Sequence, residues 1–244
     1  MPSVLFFNIR FTPSWLMTTI AALLIALFVR MGFWQMQRAE EKKSMMQAQA
    51  TQAMQAPINW APGSKLPNQY QKIWLQGHFL PTVFLLDNQH QRHQFGYDVV
   101  SPLELTDKSI VLVDRGWVAG DVTRQTLPEV SVPTGLIKIE GSTYFPSLNS
   151  WVLGQESEQK TSEIFIVERL DTKMLGQILQ KSIYPFIIRL EKHQEHGFVR
   201  KWAVVSMPAQ RHLAYAVQWF AMALAIFIIF IVVNVKKNEK KDKF

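Results

Sequence analysis

The chain of 244 residues contains no cysteine. That removes thiolate nucleophiles, thiolate metal ligands and a disulfide framework together, and it leaves both oxidising and reducing compartments open. Glycine is sparse, at 11 residues, and proline is at its ordinary level, at 12, which excludes a collagenous chain. Acidic side chains are in deficit: 19 Asp and Glu stand against 26 Lys and Arg, for a formal charge of +7 and a pI near 9.6. Enzyme signatures are missing too. There is no glycine-rich phosphate loop, G-x-S-x-G elbow or H-E-x-x-H helix, and no nucleophile and base at recognisable spacing, so a non-catalytic protein is expected.

A basic excess of this size invites a nucleic-acid partner, but its location points elsewhere. Between Trp34 and Gln210, 18 basic residues meet 17 acidic ones and leave only +1. The surplus sits on Arg10, Arg30, Arg211 and a tail, residues 236–244, with five lysines against Glu239 and Asp242. These positions flank the two long hydrophobic runs.

Residues 14–33 hold 20 residues with a single charge, and residues 215–235 hold 21 with none. At about 1.5 Å per helical residue, each run covers the roughly 30 Å hydrocarbon core of a bilayer. A cleaved signal peptide is the rival reading of the first run. No small-x-small site follows it, only the bulky MGFWQMQR, so the run is expected to stay as a membrane helix. The lysine-rich tail next to the second run predicts a cytoplasmic C-terminus. A two-span hairpin then puts residues 1–13 inside as well and the intervening segment in the periplasm of a bacterial inner membrane.

After the first run, residues 34–56 are dominated by helix formers and read as a helical stalk that ends at Pro57 and Pro62-Gly63. Residues 57–210 read as a β-rich domain. Runs rich in β-branched and aromatic residues lie at 72–80, 83–88, 96–105, 110–118, 136–145, 164–169, 186–191 and 202–207. Ile137 and Ile139 alternate with Lys138 and Glu140, predicting a strand with one wet face; the unbroken IVLV from Ile110 predicts a buried one. Asp171 is a plausible N-cap for a short helix with Met174, Leu175, Ile178 and Leu179 on one side. The predicted class is an α+β membrane protein, two transmembrane helices flanking a mainly antiparallel sheet or small barrel with one short helix.

Candidate chemistry is confined to a few places, each with a plain alternative. His90 with His93 and His193 with His196 have i, i+3 spacing but fall in expected loops, where solvated turns are the simpler reading. Arg115, Gly116 and Trp117 close a strand, either as a strand-end turn and plug or as a partner-binding surface. At the membrane boundary His212, Tyr215 and Trp219 fall at i, i+3 and i+7, with Arg211 beside them and Arg30 at the matching end of the first run. The set suits a flat apolar ring with anionic edges: His212 as axial iron ligand, the aromatics on the macrocycle, Arg30 or Arg211 near its carboxylates. An ordinary interfacial belt has the same composition.

Several segments in succession resemble the Surfeit locus protein 1 family of cytochrome c oxidase assembly factors. They are GFWQ from Gly32 with Arg38, Gly77 with Phe79, Leu86-Asp87-Asn88, Gly96-Tyr97 followed by Pro102-Leu103, VLVDRGWV from Val111, and RHLAYAVQWFAMA from Arg211. The resemblance spans roughly residues 14–235. It implies a membrane-bound, non-catalytic protein that helps supply haem a to subunit I of cytochrome c oxidase, with haem a synthase as a possible second partner and the lipid bilayer as its setting. His212 matches the family histidine at the head of the second span and is thereby the implied haem a ligand. Relatives often carry Asn near this histidine, whereas Arg211 precedes it here. The alternative within the same resemblance is a membrane scaffold that stabilises an oxidase intermediate without binding haem.

Overall fold

The computed structural model describes residues 4–6, 9–146, 157–202 and 204–237. In chain order the elements are β1 (Val4–Phe6), β2 (Ile9–Phe11), α1 (Trp15–Ala53), β3 (Ile58–Asn59), β4 (Lys72–Phe79), β5 (Val83–Gln91), β6 (Gln94–Glu104) and β7 (Ile110–Ala119). They continue with β8 (Ile137–Tyr144), β9 (Ser157–Gln159), β10 (Ile164–Val167), α2 (Thr172–Leu179), β11 (Ile183–Leu190), α3 (Ala209–Asn234) and β12 (Val235–Lys237). The chain forms two compact units, residues 1–47 with 204–244, and residues 48–203.

In the first unit α1 and α3 are each long and apolar enough to cross a membrane, with mean hydropathy of 2.0 and 2.6 over their best 18 residues. Their apolar side chains mostly face outward: Leu23 is 66% exposed and Val232 66%. Leaving such surface in water is unfavourable by about 25 cal/mol per Å², so lipid is its natural cover and the chain has the build of a two-pass membrane protein. Apart from His212 and Asn234, the buried residues of the two helices are small. Ala21, Gly32 and Ala39 line α1, and Ala216 and Ala223 line α3, which lets the two backbones approach. At Gly32 a Cβ would fall 2.5 Å from the Phe220 ring, so that ring lies where any other residue would project. Antiparallel pairing of β2 with β12, Phe11 opposite Val235, joins the two chain ends on the same side of the hairpin.

The second unit is built on a closed barrel. β4, β8, β11, β7 and β6 pair in that order, and β6 returns to β4 through His78 opposite Glu104 and Phe79 opposite Leu103. All these pairings are antiparallel except β11 with β7. Gly77 permits the closure, since a Cβ there would lie 2.3 Å from the Glu104 carbonyl oxygen. Beyond the barrel the sheet continues from β6 through β5 and β10 to β9. Alternation sorts side chains between two cores. Val111, Val113, Phe186, Ile188 and Leu190 point into the barrel, while Ile110, Leu112 and Ile187 point outward and pack under α2 with Phe84, Val100 and Leu175. The strand expected to be buried on both faces, β7, is so placed. The one short helix also begins as expected: Asp171 accepts from the Lys173 and Met174 amides at 2.9 and 3.3 Å.

Two local expectations are overturned. Residues 202 and 204–207 form no strand; Trp202 instead donates from Nε1 to the Leu190 carbonyl at 3.2 Å, and Pro208 then starts α3. On β8 the expected wet face is half covered. Lys138 is exposed, but Glu140 is only 7% exposed because the chain after β11 folds over it, with Glu191 N–H donating to the Glu140 carbonyl and His193 Nε2 3.2 Å from its carboxylate.

Candidate functional site

The membrane-boundary residues separate on the two helices. α3 begins at Ala209 after the N-cap Pro208, whose carbonyl accepts from Arg211 N–H at 3.1 Å, so His212 occupies the first turn. The α3 face turned to α1 carries His212, Ala216, Trp219 and Phe220, and Ala223. That of α1 carries Ala21, Phe28, Gly32, Gln35 and Ala39, spaced 7, 4, 3 and 4 residues apart. Trp219 lies against Phe28 with ring centroids 5.6 Å apart, and Phe33 meets Phe220 edge-on at 5.4 Å.

On this seam His212 is only 9% exposed, and its Nδ1 lies 2.8 Å from Gln35 Oε1. No other hydrogen bond to the imidazole occurs among the described residues. Nε2 is therefore the ring nitrogen left for another ligand, and a neutral imidazole is a good donor to iron, copper or zinc. Gln35 was legible only as part of the GFWQ string; the signal that would have singled it out is its place in the 28, 32, 35, 39 stripe.

Arg30, Arg211 and Tyr215 are exposed, so the structure does not gather them around the imidazole. Arg30 is half a helical turn away from the Gly32 and Gln35 stripe, at 100° per residue. Arg211 has no acidic partner among the described residues, whereas Arg38, one turn beyond Gln35, is paired with Glu41 at 2.6 Å and lies over the Trp34 ring.

Arg115, Gly116 and Trp117 are all buried in the second unit. Arg115 points into the end of the barrel, 1% exposed, donating from Nε to the His196 carbonyl at 2.8 Å and from Nη1 to Ser101 Oγ at 3.2 Å. Its guanidinium lies 5.0 Å from the Phe198 ring, and burial lowers its pKa to about 10. Gly116 has φ +111°, and a Cβ there would lie 2.8 Å from the Val199 carbonyl oxygen, so the strand end can turn only with glycine. Trp117 exchanges backbone hydrogen bonds with Val199 and donates from Nε1 to the Gln89 carbonyl at 3.1 Å. These contacts are internal, and they tie the chain after β11 to the end of β7.

The histidine pairs are dispersed. His90 lies on β5 and His93 in the β5–β6 turn, at φ 65°, while His193 faces Glu140 and His196 has φ 62°. No group of three or more His, Asp or Glu able to hold a metal ion occurs among the described residues.

Comparison with known proteins covers most of this architecture. The SURF1 family model matches residues 22–224, from within α1 to within α3. A SURF1-like protein of Rickettsia felis is 24% identical over 231 residues, covering 87% of this chain and 94% of the relative. Those of Rickettsia conorii and Rickettsia bellii are each 24% identical, covering 84% of this chain and 86% and 85% of the relative. The match runs through the barrel and both halves of the His212–Gln35 seam, and the chain belongs to the SURF1 family.

Proposed function

We propose that this protein is a bacterial inner-membrane assembly factor for haem–copper cytochrome c oxidase, making and breaking no covalent bond itself, and that it holds haem a transiently on the way to subunit I. The observation that carries the reading is His212: an imidazole on the first turn of a membrane helix, held through Nδ1 and without a hydrogen bond at Nε2 among the described residues. The donor chemistry fits. An imidazole nitrogen is a normal axial ligand, Trp219 and Phe28 supply apolar ring surface two helical turns further along the seam, and Arg211 is a cation free to meet a carboxylate. Haem a, when bound, supplies the iron that the histidine ligates. The residues' own work is to fix the ring, exclude water with the helix seam, and let the cofactor leave sideways within the membrane plane.

Orientation is part of the proposal. Lysines at 236, 237, 240, 241 and 243 favour a cytoplasmic C-terminus, and the β2–β12 pairing takes the N-terminal strand to the same side, which leaves the barrel domain periplasmic. Haem a synthase is the natural donor of the cofactor, and the barrel domain is the surface offered to protein partners.

Co-expression with haem a synthesis, purification in detergent and an absorption spectrum test the reading. A Soret band is expected in the unaltered protein and is expected to vanish in His212→Ala. The covering of His212 in the helix seam favours the second reading, a scaffold that stabilises an oxidase intermediate without haem. Absence of haem at any stoichiometry would overturn the carrier and leave the scaffold.

A further inference from the structure

Gln35 and His212 are 177 residues apart in sequence and share the only side-chain hydrogen bond between α1 and α3 among the described residues. The close atom of Gln35 is the carbonyl oxygen, Oε1, at 2.8 Å. An amide oxygen accepts and cannot donate, so with the amide in this orientation the hydrogen bond puts the proton on His212 Nδ1. In a neutral imidazole the lone pair is then on Nε2.

We infer that Gln35 is a positioning residue that selects the Nδ1–H tautomer of His212 and so makes Nε2 the ligating nitrogen. The tautomer is a property of the protein alone; its use toward iron rests on the haem reading above. Metal-bound histidines generally donate their second ring N–H to a carbonyl or carboxylate, which fixes the ring and raises the basicity of the ligating nitrogen. The reverse amide orientation would place the lone pair on Nδ1, under Gln35, and leave Nε2–H unable to ligate. Gln35 is suited to the task by reach and place. It is partly buried, and it sits one helical turn beyond Gly32, where the close approach of Phe220 brings the two helices together.

The test uses the full chain in detergent with ¹⁵N-labelled histidine, the His212 signals being assigned by their loss in His212→Ala. In the haem-free protein, Nδ1 is expected at a pyrrole-like shift and Nε2 at a pyridine-like one. Gln35→Leu keeps the side-chain bulk and removes the acceptor, and should move the ring toward the Nε2–H form that unconstrained histidine favours. Gln35→Glu keeps the acceptor and should hold the native tautomer. In a parallel haem a titration, Gln35→Leu should bind on the order of 10- to 100-fold more weakly, with restoration in Gln35→Glu. A pyridine-like Nδ1 in the unaltered protein, or a tautomer indifferent to Gln35→Leu, would overturn the inference even if haem still bound through His212. A tautomer that follows Gln35 in a protein that binds no haem would uphold tautomer control and remove the haem reading.

Discussion

At the scale of single residues, two carboxylates of the barrel domain depart from ordinary behaviour. Asp114 is 3% exposed on the outer face of β7, opposite Arg189 of β11 in the parallel register, and Asp98 lies on the neighbouring strand β6. Burial pushes the Asp98 carboxyl up to about 6, with Arg189 pulling the other way. Asp114 is raised well above its ordinary value, first by burial and then by the charge of Asp98, against the opposing effects of Arg189 and the Gly116 N–H. For an acid whose folded pKa is raised, the favourable contribution is complete below the unfolded value near 3.8 and is lost as pH climbs through the folded value. Stability should therefore fall between about pH 4 and pH 6 through Asp98, and further at higher pH through Asp114. Denaturant titrations of the full chain in detergent should show this slope, and Asp98→Asn should flatten its lower part; an unchanged slope would exclude Asp98 as its source. The composition of the chain contained no sign of this pair, because burial of a carboxylate depends on which strands become neighbours. His212 was legible because its residue type announces ligand chemistry. Gln35 was not, because glutamine is unremarkable until its partner, 177 residues away, is brought to it.

At the scale of elements, the helix hairpin and the β-strands were readable to different degrees. Apolar length alone identifies α1 and α3, but the choice of facing sides rests on small residues interleaved with aromatics. That choice separates residues which depth alone would group: Arg30 and Gln35 belong to one helix and to opposite sides of it. Because the protein has no cysteine of its own, a pair of introduced cysteines reports this packing cleanly. Phe28→Cys with Trp219→Cys should be joined in membranes by a flexible thiol-reactive cross-linker long enough to replace the two native rings, whose centroids are 5.6 Å apart, while Arg30→Cys with Trp219→Cys should not. The opposite pattern would reject the seam and with it the Gln35–His212 bond. Among the strands, the IVLV run of β7 declared its double burial, and Asp171 declared the start of α2, since both signals are local. Residues 202–207 carry strand-like composition yet form none among those described, because the Trp202 side chain rather than its backbone is tied to β11.

At the scale of the whole molecule, the proposed topology makes a direct prediction. A periplasmic reporter fused after Phe244 should be inactive, and the same reporter inserted in the exposed turn at Arg92 and His93 should be active; activity of the first fusion would reverse the orientation. Two apolar runs were enough to determine the two-helix build, the β-branched and aromatic runs the β-rich character of the central domain, and the short motifs from GFWQ to RHLAYAVQWFAMA the family resemblance. Those properties follow from composition, periodicity and short motifs, which act over one or two turns of chain. Closure of the barrel through β4 and β6, the return of β11 beside β7 in parallel, the burial of Asp114 near Asp98 and the Gln35–His212 bond were decided only by the tertiary structure. Each joins groups far apart in sequence, where the deciding terms are steric fit, such as the missing Cβ of Gly77, and desolvation, which exists only once the chain has folded.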